Sequence, residues 1–254
     1  MPTKLNNEQK TPICEILGVK ISAINMPWLL NFVRENLSEI KGDYICVANV
    51  HTVVTATDIL PYKEAQNNAI LTIPDGGPLS KVGNKRGFTE MARTTGPDFM
   101  REIFEISEEK GYTHYFYGST TDTLQLLQSK LHQTYPYLKI VGAYSPPFRE
   151  LTEEENNSVI KSINNSGADF VWVGLGAPKQ ELWMAEHKGK INGLMVGVGA
   201  GFDYFAGNIK RAPMWMQKNN LEWLYRLIQE PSRLFKRYLI TNTKFIFNVI
   251  IRRK

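Results

Sequence analysis

The 254-residue chain is 43% hydrophobic and 22% charged, a balance that excludes a disordered or low-complexity protein and suits one large α/β domain with a smaller appendage. Its net charge of +5 is unevenly placed: from Lys210 onward eleven Lys/Arg face only Glu222 and Glu230, a tail of +9, while the other 19 basic and 23 acidic residues leave the body at −4. No uncharged apolar run approaches the roughly 18 to 20 residues that a membrane span requires; the nearest, FIFNVII at 245–251, is far too short.

In chain order, the polar start MPTKLNNEQKTP lacks the apolar stretch of a secretory leader. Cys14 and Cys46, far apart in apolar contexts, read as buried thiols of a reducing, cytoplasmic compartment. A short extended segment at 13–24 precedes a helix in which Pro27 is followed by Trp28, Leu29, Phe32, Val33 and Leu37 at amphipathic spacing. From there to residue 210, short apolar runs alternate with Gly/Pro/Asn breaks and amphipathic stretches, which is the βα signature. Strands are predicted at 44–48, 69–73, 114–117, 138–141, 170–173 and 194–198. Several are continuous apolar runs, as strands covered on both faces require. Between them, 97–110 places Phe99, Ile103, Phe104 and Ile106 near helical spacing and stops at Gly111; Thr152 with Glu155 forms a capping box opening a helix to about 164. The result is a mostly parallel, doubly wound sheet. The only composition shift comes at Arg211-Ala212-Pro213, where a basic, aromatic tail begins.

In such sheets ligands bind beyond the carboxyl ends of the strands, where loops and helix N-termini converge with unpaired N–H groups. Those positions hold Asn49 and His51, then Asp75-Gly76-Gly77, then Gly118-Ser119-Thr120, then the run from Gly174 through Lys179, Gln180 and Glu181, then the run from Gly197 to Asp203. Asp75, in LTIPDGGPLS, reads either as a turn-forming aspartate or as a reagent. GVGAGF superficially suggests a dinucleotide fingerprint, but its third glycine is displaced and it does not open the first βα unit. No GxxxxGK[ST] loop and no GxSxG elbow occur, and His51, His114, His132 and His187 lack metal-ligand spacing. No DxD pair is present to hold a divalent ion against a pyrophosphate. Arginine is the natural substitute, because the guanidinium fork matches phosphate oxygens.

The segments NVHTVV (49–54), PDGGPL (74–79), RTTGPDFM (93–100), YSPPFRELTEEE (144–155), VGLGAPKQELWM (173–184), GVGAGFDYFAGNIKRAPMWMQ (197–217) and LEWLYRLIQEPSRLFKRY (221–238) together resemble the WecG/TagA/CpsF family of bacterial glycosyltransferases. The resemblance covers the chain from about 45 to 240. It implies a Rossmann-like α/β catalytic domain at 1–210, with helices on both faces of a mostly parallel sheet, and a basic C-terminal helical appendage at 211–254. It also implies inverting, metal-independent transfer of N-acetylmannosamine or a related hexose from a UDP-sugar to a polyprenyl-diphosphate-linked sugar, in the synthesis of a bacterial surface polysaccharide. No cofactor and no nucleic acid are implied; the partners are the two substrates, the inner face of the cytoplasmic membrane and, in some members, further copies of the chain.

On this resemblance Asp75 is the catalytic base. Asn49, His51, Arg93, Gly118, Lys179, Gln180 and Glu181 are candidates for substrate binding, and Arg226, Arg233 and Arg237 for the diphosphate. Val47 departs from the threonine that some members carry at its place, so no hydroxyl is available there. The three tail arginines, seven and four residues apart, would share a face on one continuous helix, which Pro231 threatens to break. The tail aromatics, among them Trp215, Trp223, Phe235 and Phe245, fit either a membrane surface or packing on the body. Two other readings compete. One is a non-enzymatic binder of polyanions through the tail, and the other a nicotinamide enzyme.

Overall fold

The computed structural model describes residues 11–251; the polar start, Arg252, Arg253 and Lys254 lie outside them. The predicted extended segment is an antiparallel hairpin, β1 (Ile13–Ile16) and β2 (Val19–Ser22), turned by Leu17 and Gly18 at positive φ. Its inward-facing Cys14, Ile16, Val19 and Ile21 are buried. Helix α1 (Met26–Ile40) follows, capped by the Asn25 side chain on the Trp28 N–H.

The main sheet has six parallel strands in the order β4 (Leu71–Pro74), β3 (Tyr44–Ala48), β8 (Leu194–Gly197), β7 (Phe170–Gly174), β5 (Thr113–Gly118), β6 (Lys139–Tyr144). All six predicted strands are present, the first with both ends as predicted and the others with ends shifted by at most three residues. Position 69 precedes the ladder, and β6 runs on to Tyr144. Alternate residues of one strand serve opposite faces, which explains the unbroken apolar runs. Ile45 and Val47 join a core with α1, α5 (Gly96–Lys110), α6 (Thr121–Thr134) and α9 (Gly201–Ala206). Tyr44 and Cys46 face a core with α7 (Glu153–Ser166) and α8 (Lys179–His187). The helices predicted at 97–110 and from Thr152 appear as α5, ended by Gly111 at φ 71°, and α7, opened by the Thr152–Glu155 capping box.

Strand β3 feeds through α2 (Val50–Asp58) and α3 (Leu60–Asn67) to β4 on one side, while β5 to β8 fill the other. A crevice therefore opens above β3, β4, β7 and β8, where connections diverge. The tail forms α10 (Met214–Lys218), α11 (Glu222–Gln229) and α12 (Pro231–Phe245), then a π-helical turn over Ile246–Ile251. It is anchored by Phe245 and Val249, which enter the core shared by the hairpin and α2. Pro231 opens α12 rather than kinking a longer helix, so Arg226 and the pair Arg233 and Arg237 stand on two helices.

Candidate active site

The tail roofs the crevice and encloses a cavity of about 870 Å³. Its floor is the carboxyl end of the sheet, with Val47, Asn49, Asp75, Gly174 and Gly197; its walls include Arg93, Gln180 and Tyr204; its roof carries Glu222, Trp223, Arg226, Arg233, Arg237 and Tyr238. Helices α2, α4 (Gly77–Lys85), α5 and α8 all begin at its edge, presenting N-terminal N–H groups and positive dipole ends to an anionic ligand.

Asp75 follows directly on β4. Its N–H donates to the Ala48 carbonyl at 2.8 Å, and the carbonyl of Pro74 accepts from the Thr94 N–H at 2.7 Å, so the backbone is tied on both sides where Asp75 lines the cavity. Burial raises that carboxyl to about 6; Arg93 pulls it down, Glu222 pushes it up, and the Asn49 hydrogen bond and Arg226 lower it. A carboxyl so placed is ionised at neutral pH yet basic enough to take a proton.

Asn49 is the N-cap of α2. Its Oδ1 accepts from the N–H groups of His51 (3.0 Å) and Thr52 (3.2 Å), and Thr52 Oγ1 accepts from its own N–H at 2.9 Å. With the oxygen committed to the helix, the amide Nδ2 is turned toward Asp75 and donates to Oδ2 at 3.4 Å. His51 lines the cavity with its imidazole held down at about 4, by burial and then by the Arg237 charge, so it is neutral at physiological pH.

Gln180 lines the cavity, but its amide is occupied. Oε1 accepts from the Gly199 N–H at 3.0 Å and Nε2 donates to Glu181 Oε1 at 2.7 Å. It therefore braces the glycine turn after β8 against the start of α8. Glu181 lies behind the wall, 1% exposed, beside the buried Tyr62, and burial raises its carboxyl to about 7. Lys179 points to solvent, and neither it nor Glu181 lines the cavity. Gly118 does not reach it either. It sits at φ 116° where β5 meets β7, and a Cβ there would stand 2.7 Å from the Gly174 backbone, so its glycine serves close strand packing.

The three tail arginines do converge, although on two helices. Arg226 is ion-paired with Glu230 at 3.5 Å without hydrogen-bond geometry, and Arg233 meets the same carboxylate at 2.5 Å. Arg237 is buried enough to depress its guanidinium, with Arg226 and Arg233 adding repulsion, and among the described residues its Nε has no hydrogen-bond partner. Like charges turned into one cavity with donors to spare suit an anion of several oxygens. Among the described residues no group of three or more His, Cys, Asp and Glu side chains is placed to hold a metal ion.

Residues that the strand-end reading passed over also meet here. Arg93 pairs with Glu222; Arg211 Nε reaches Glu222 at 3.4 Å and its Nη1 meets Asp98 at 2.6 Å. Tyr204 lies under the guanidinium groups of both Arg211 (5.9 Å) and Arg226 (5.8 Å). The signal for Glu222 was in the sequence: Glu222, Arg226 and Glu230 recur every four residues, the spacing of one helix face.

The family model described as "Glycosyl transferase WecG/TagA/CpsF family" matches residues 14–254. A relative from Bacillus subtilis (strain 168), an N-acetylglucosaminyldiphosphoundecaprenol N-acetyl-beta-D-mannosaminyltransferase, is 30% identical over 217 residues, covering 85% of this chain and 82% of its own. A relative of the same description from Staphylococcus aureus (strain MW2) is 28% identical over 233 residues, covering 91% and 90%.

Proposed function

The chain belongs to the WecG/TagA/CpsF family of glycosyltransferases, and on that premise we propose that it transfers an N-acetylmannosamine-type hexose, with inversion and without a metal ion, from a UDP-sugar to a polyprenyl-diphosphate-linked sugar at the inner face of the cytoplasmic membrane. The observation that carries this reading is the meeting, in one cavity, of a carboxyl raised to about 6 and three converging arginines from the tail.

Ionised Asp75 takes the proton of the acceptor hydroxyl as that oxygen attacks the anomeric carbon from the face opposite the nucleotide. The bond from that carbon to the diphosphate breaks, and its electron pair passes to the departing phosphate oxygen. Arg226, Arg233 and Arg237 stabilise the charge that collects there, the work a divalent cation does elsewhere. Asn49 fixes the Asp75 carboxylate, and Gln180 holds the glycine turn against which the donor packs.

The membrane address is supported by the tail's outer face, where Trp215 (61% exposed) and Phe235 (62%) stand among exposed Met214, Leu239 and Ile240. Among the described residues no helix is long and apolar enough to cross a membrane. Phe245, by contrast, packs on the body, and Leu234 is buried.

The deciding assay measures UDP release from a panel of UDP-sugars with a synthetic polyprenyl-diphosphate-N-acetylglucosamine acceptor, in EDTA, for the wild-type chain and Asp75→Asn. Acceptor-dependent turnover by one donor, lost in the variant while UDP still binds, is the expected result. Full turnover by Asp75→Asn refutes the base assignment, and a strict need for a divalent ion refutes the metal-free route.

A further inference from the structure

Glu222 lies in the roof of the cavity, on the first turn of α11, and carries both of the cations that face it from the body and the tail. One carboxylate oxygen pairs with Arg93, which follows α4; the other accepts from Arg211 Nε at 3.4 Å. Arg211 in turn donates to Asp98 at 2.6 Å, in the first turn of α5. The result is a ladder, Asp98–Arg211–Glu222–Arg93, that runs from the body through the tail and back to the body. Its last rung ends beside Asp75. We propose that Glu222 is a positioning residue for glycosyl transfer: seated by the tail, it occupies Arg93 and places a negative charge beside Asp75, and so makes the proton-accepting power of Asp75 depend on the tail being docked.

This rests on the reading of Asp75 as the base. The charged and titratable groups around Asp75 are Arg93, Glu222 and Arg226, with Tyr204 on α9 beneath them; Asn49 adds a neutral hydrogen bond. Arg93 and Arg226 favour the carboxylate and weaken it as a base, and Glu222 opposes both. Glu222 is 17% exposed and Arg93 21%, so the pair is shielded from solvent more than a surface ion pair. Without Glu222, Asp75 loses a neighbouring negative charge while Arg93 loses its counter-ion. Both changes act in one direction.

The test is the pH dependence of kcat/KM for the full chain, with the donor and acceptor of the assay above, in the wild type, Glu222→Gln, Arg211→Gln and Asp75→Asn. The wild-type acid limb, set by Asp75, is expected near 6. In Glu222→Gln it should fall by at least about half a unit, with the plateau above pH 8 reduced roughly two-fold or more as the base weakens. Arg211→Gln cuts the rung that ties Glu222 to Asp98, so its limb should fall no further than that of Glu222→Gln. If Glu222→Gln loses rate with an unmoved limb, the residue only seats the tail and the proposal is overturned. Should Asp75→Asn keep the wild-type rate and limb, the base assignment falls, and this inference with it.

Discussion

Asn49 performs two tasks with one amide, and Asn49→Asp separates them. Aspartate caps a helix as well as asparagine does, so the bonds to the His51 and Thr52 N–H groups survive, whereas Asn49→Ala loses them at a cost of about 1 kcal/mol. What aspartate cannot do is donate to Asp75. In place of an Nδ2–H···Oδ2 contact at 3.4 Å stand two carboxylates at about that separation, worth roughly 4 kcal/mol of repulsion at 4 Å in an effective dielectric near 20. The pair escapes by sharing a proton, and each pKa unit of that retention corresponds to about 1.4 kcal/mol. The acid limb of kcat/KM, expected near 6 in the wild type, should therefore rise by at least about one unit, cutting the rate at pH 7 about two-fold or more and restoring it toward pH 9. Stability is compared by denaturant unfolding at pH 5.5, where the pair still holds its proton; there Asn49→Asp should match the wild type within about 0.5 kcal/mol and Asn49→Ala should not. An unmoved limb in Asn49→Asp refutes the contact with Asp75, and equal destabilisation of both variants at pH 5.5 refutes the separation of roles.

Glu181 should reveal itself through stability. Its folded carboxyl sits at about 7 against an ordinary value of 4.5, so between these values the folded chain binds a proton that the unfolded chain has released. The corresponding stability is complete below about 4.5 and is lost as pH rises through 7, on the order of 3 kcal/mol; unfolding of Glu181→Gln over pH 4.5 to 8 should lack this fall, and identical slopes would count against it. Arg237→Ala removes a half-buried, incompletely paired cation, so UDP binding by calorimetry should weaken about ten-fold or more while the melting temperature holds or rises. Unchanged UDP affinity would remove Arg237 from the diphosphate site.

The parallel sheet was legible because strands buried on both faces must read as apolar runs, and 44–48 and 170–173 do. Asp75 was legible as a position, since a carboxylate directly after a strand must lie at the ligand-binding edge. Whether a strand-end residue looks into the crevice or into its neighbours was not. Gly118 ends a strand as Asp75 does, but β5 lies two strands away from β8, and its glycine is consumed by contact with β7. Within the PKQE block, adjacent residues on a helix point about 100° apart, so only one of Lys179, Gln180 and Glu181 could meet the cavity, and it is Gln180. The arginine spacing misled in detail. Seven-and-four periodicity assumes one helix, and Pro231 instead starts a second, yet all three arginines line the same cavity.

The charge split between body and tail takes a different meaning once the contacts are known. A +9 tail gripping a polyanion would hold its cations outward as a stripe. Here Arg211 is spent on Asp98 and Glu222 and Lys244 on Asp58, while Arg226 and Arg233, sharing Glu230, line the cavity with Arg237. Positive charge in the tail and negative charge in the body are thus joined partly at their seam, and among the described residues Arg226, Arg233 and Arg237 line the site while Lys210, Lys218 and Lys236 face solvent. The family assignment removes the non-enzymatic reading, and the geometry gives its physical reason. A roof that must hold several like-charged guanidinium groups over a buried carboxyl is unfavourable by itself. An anion bound beneath it relieves the repulsion, so donor binding and tail docking should each strengthen the other.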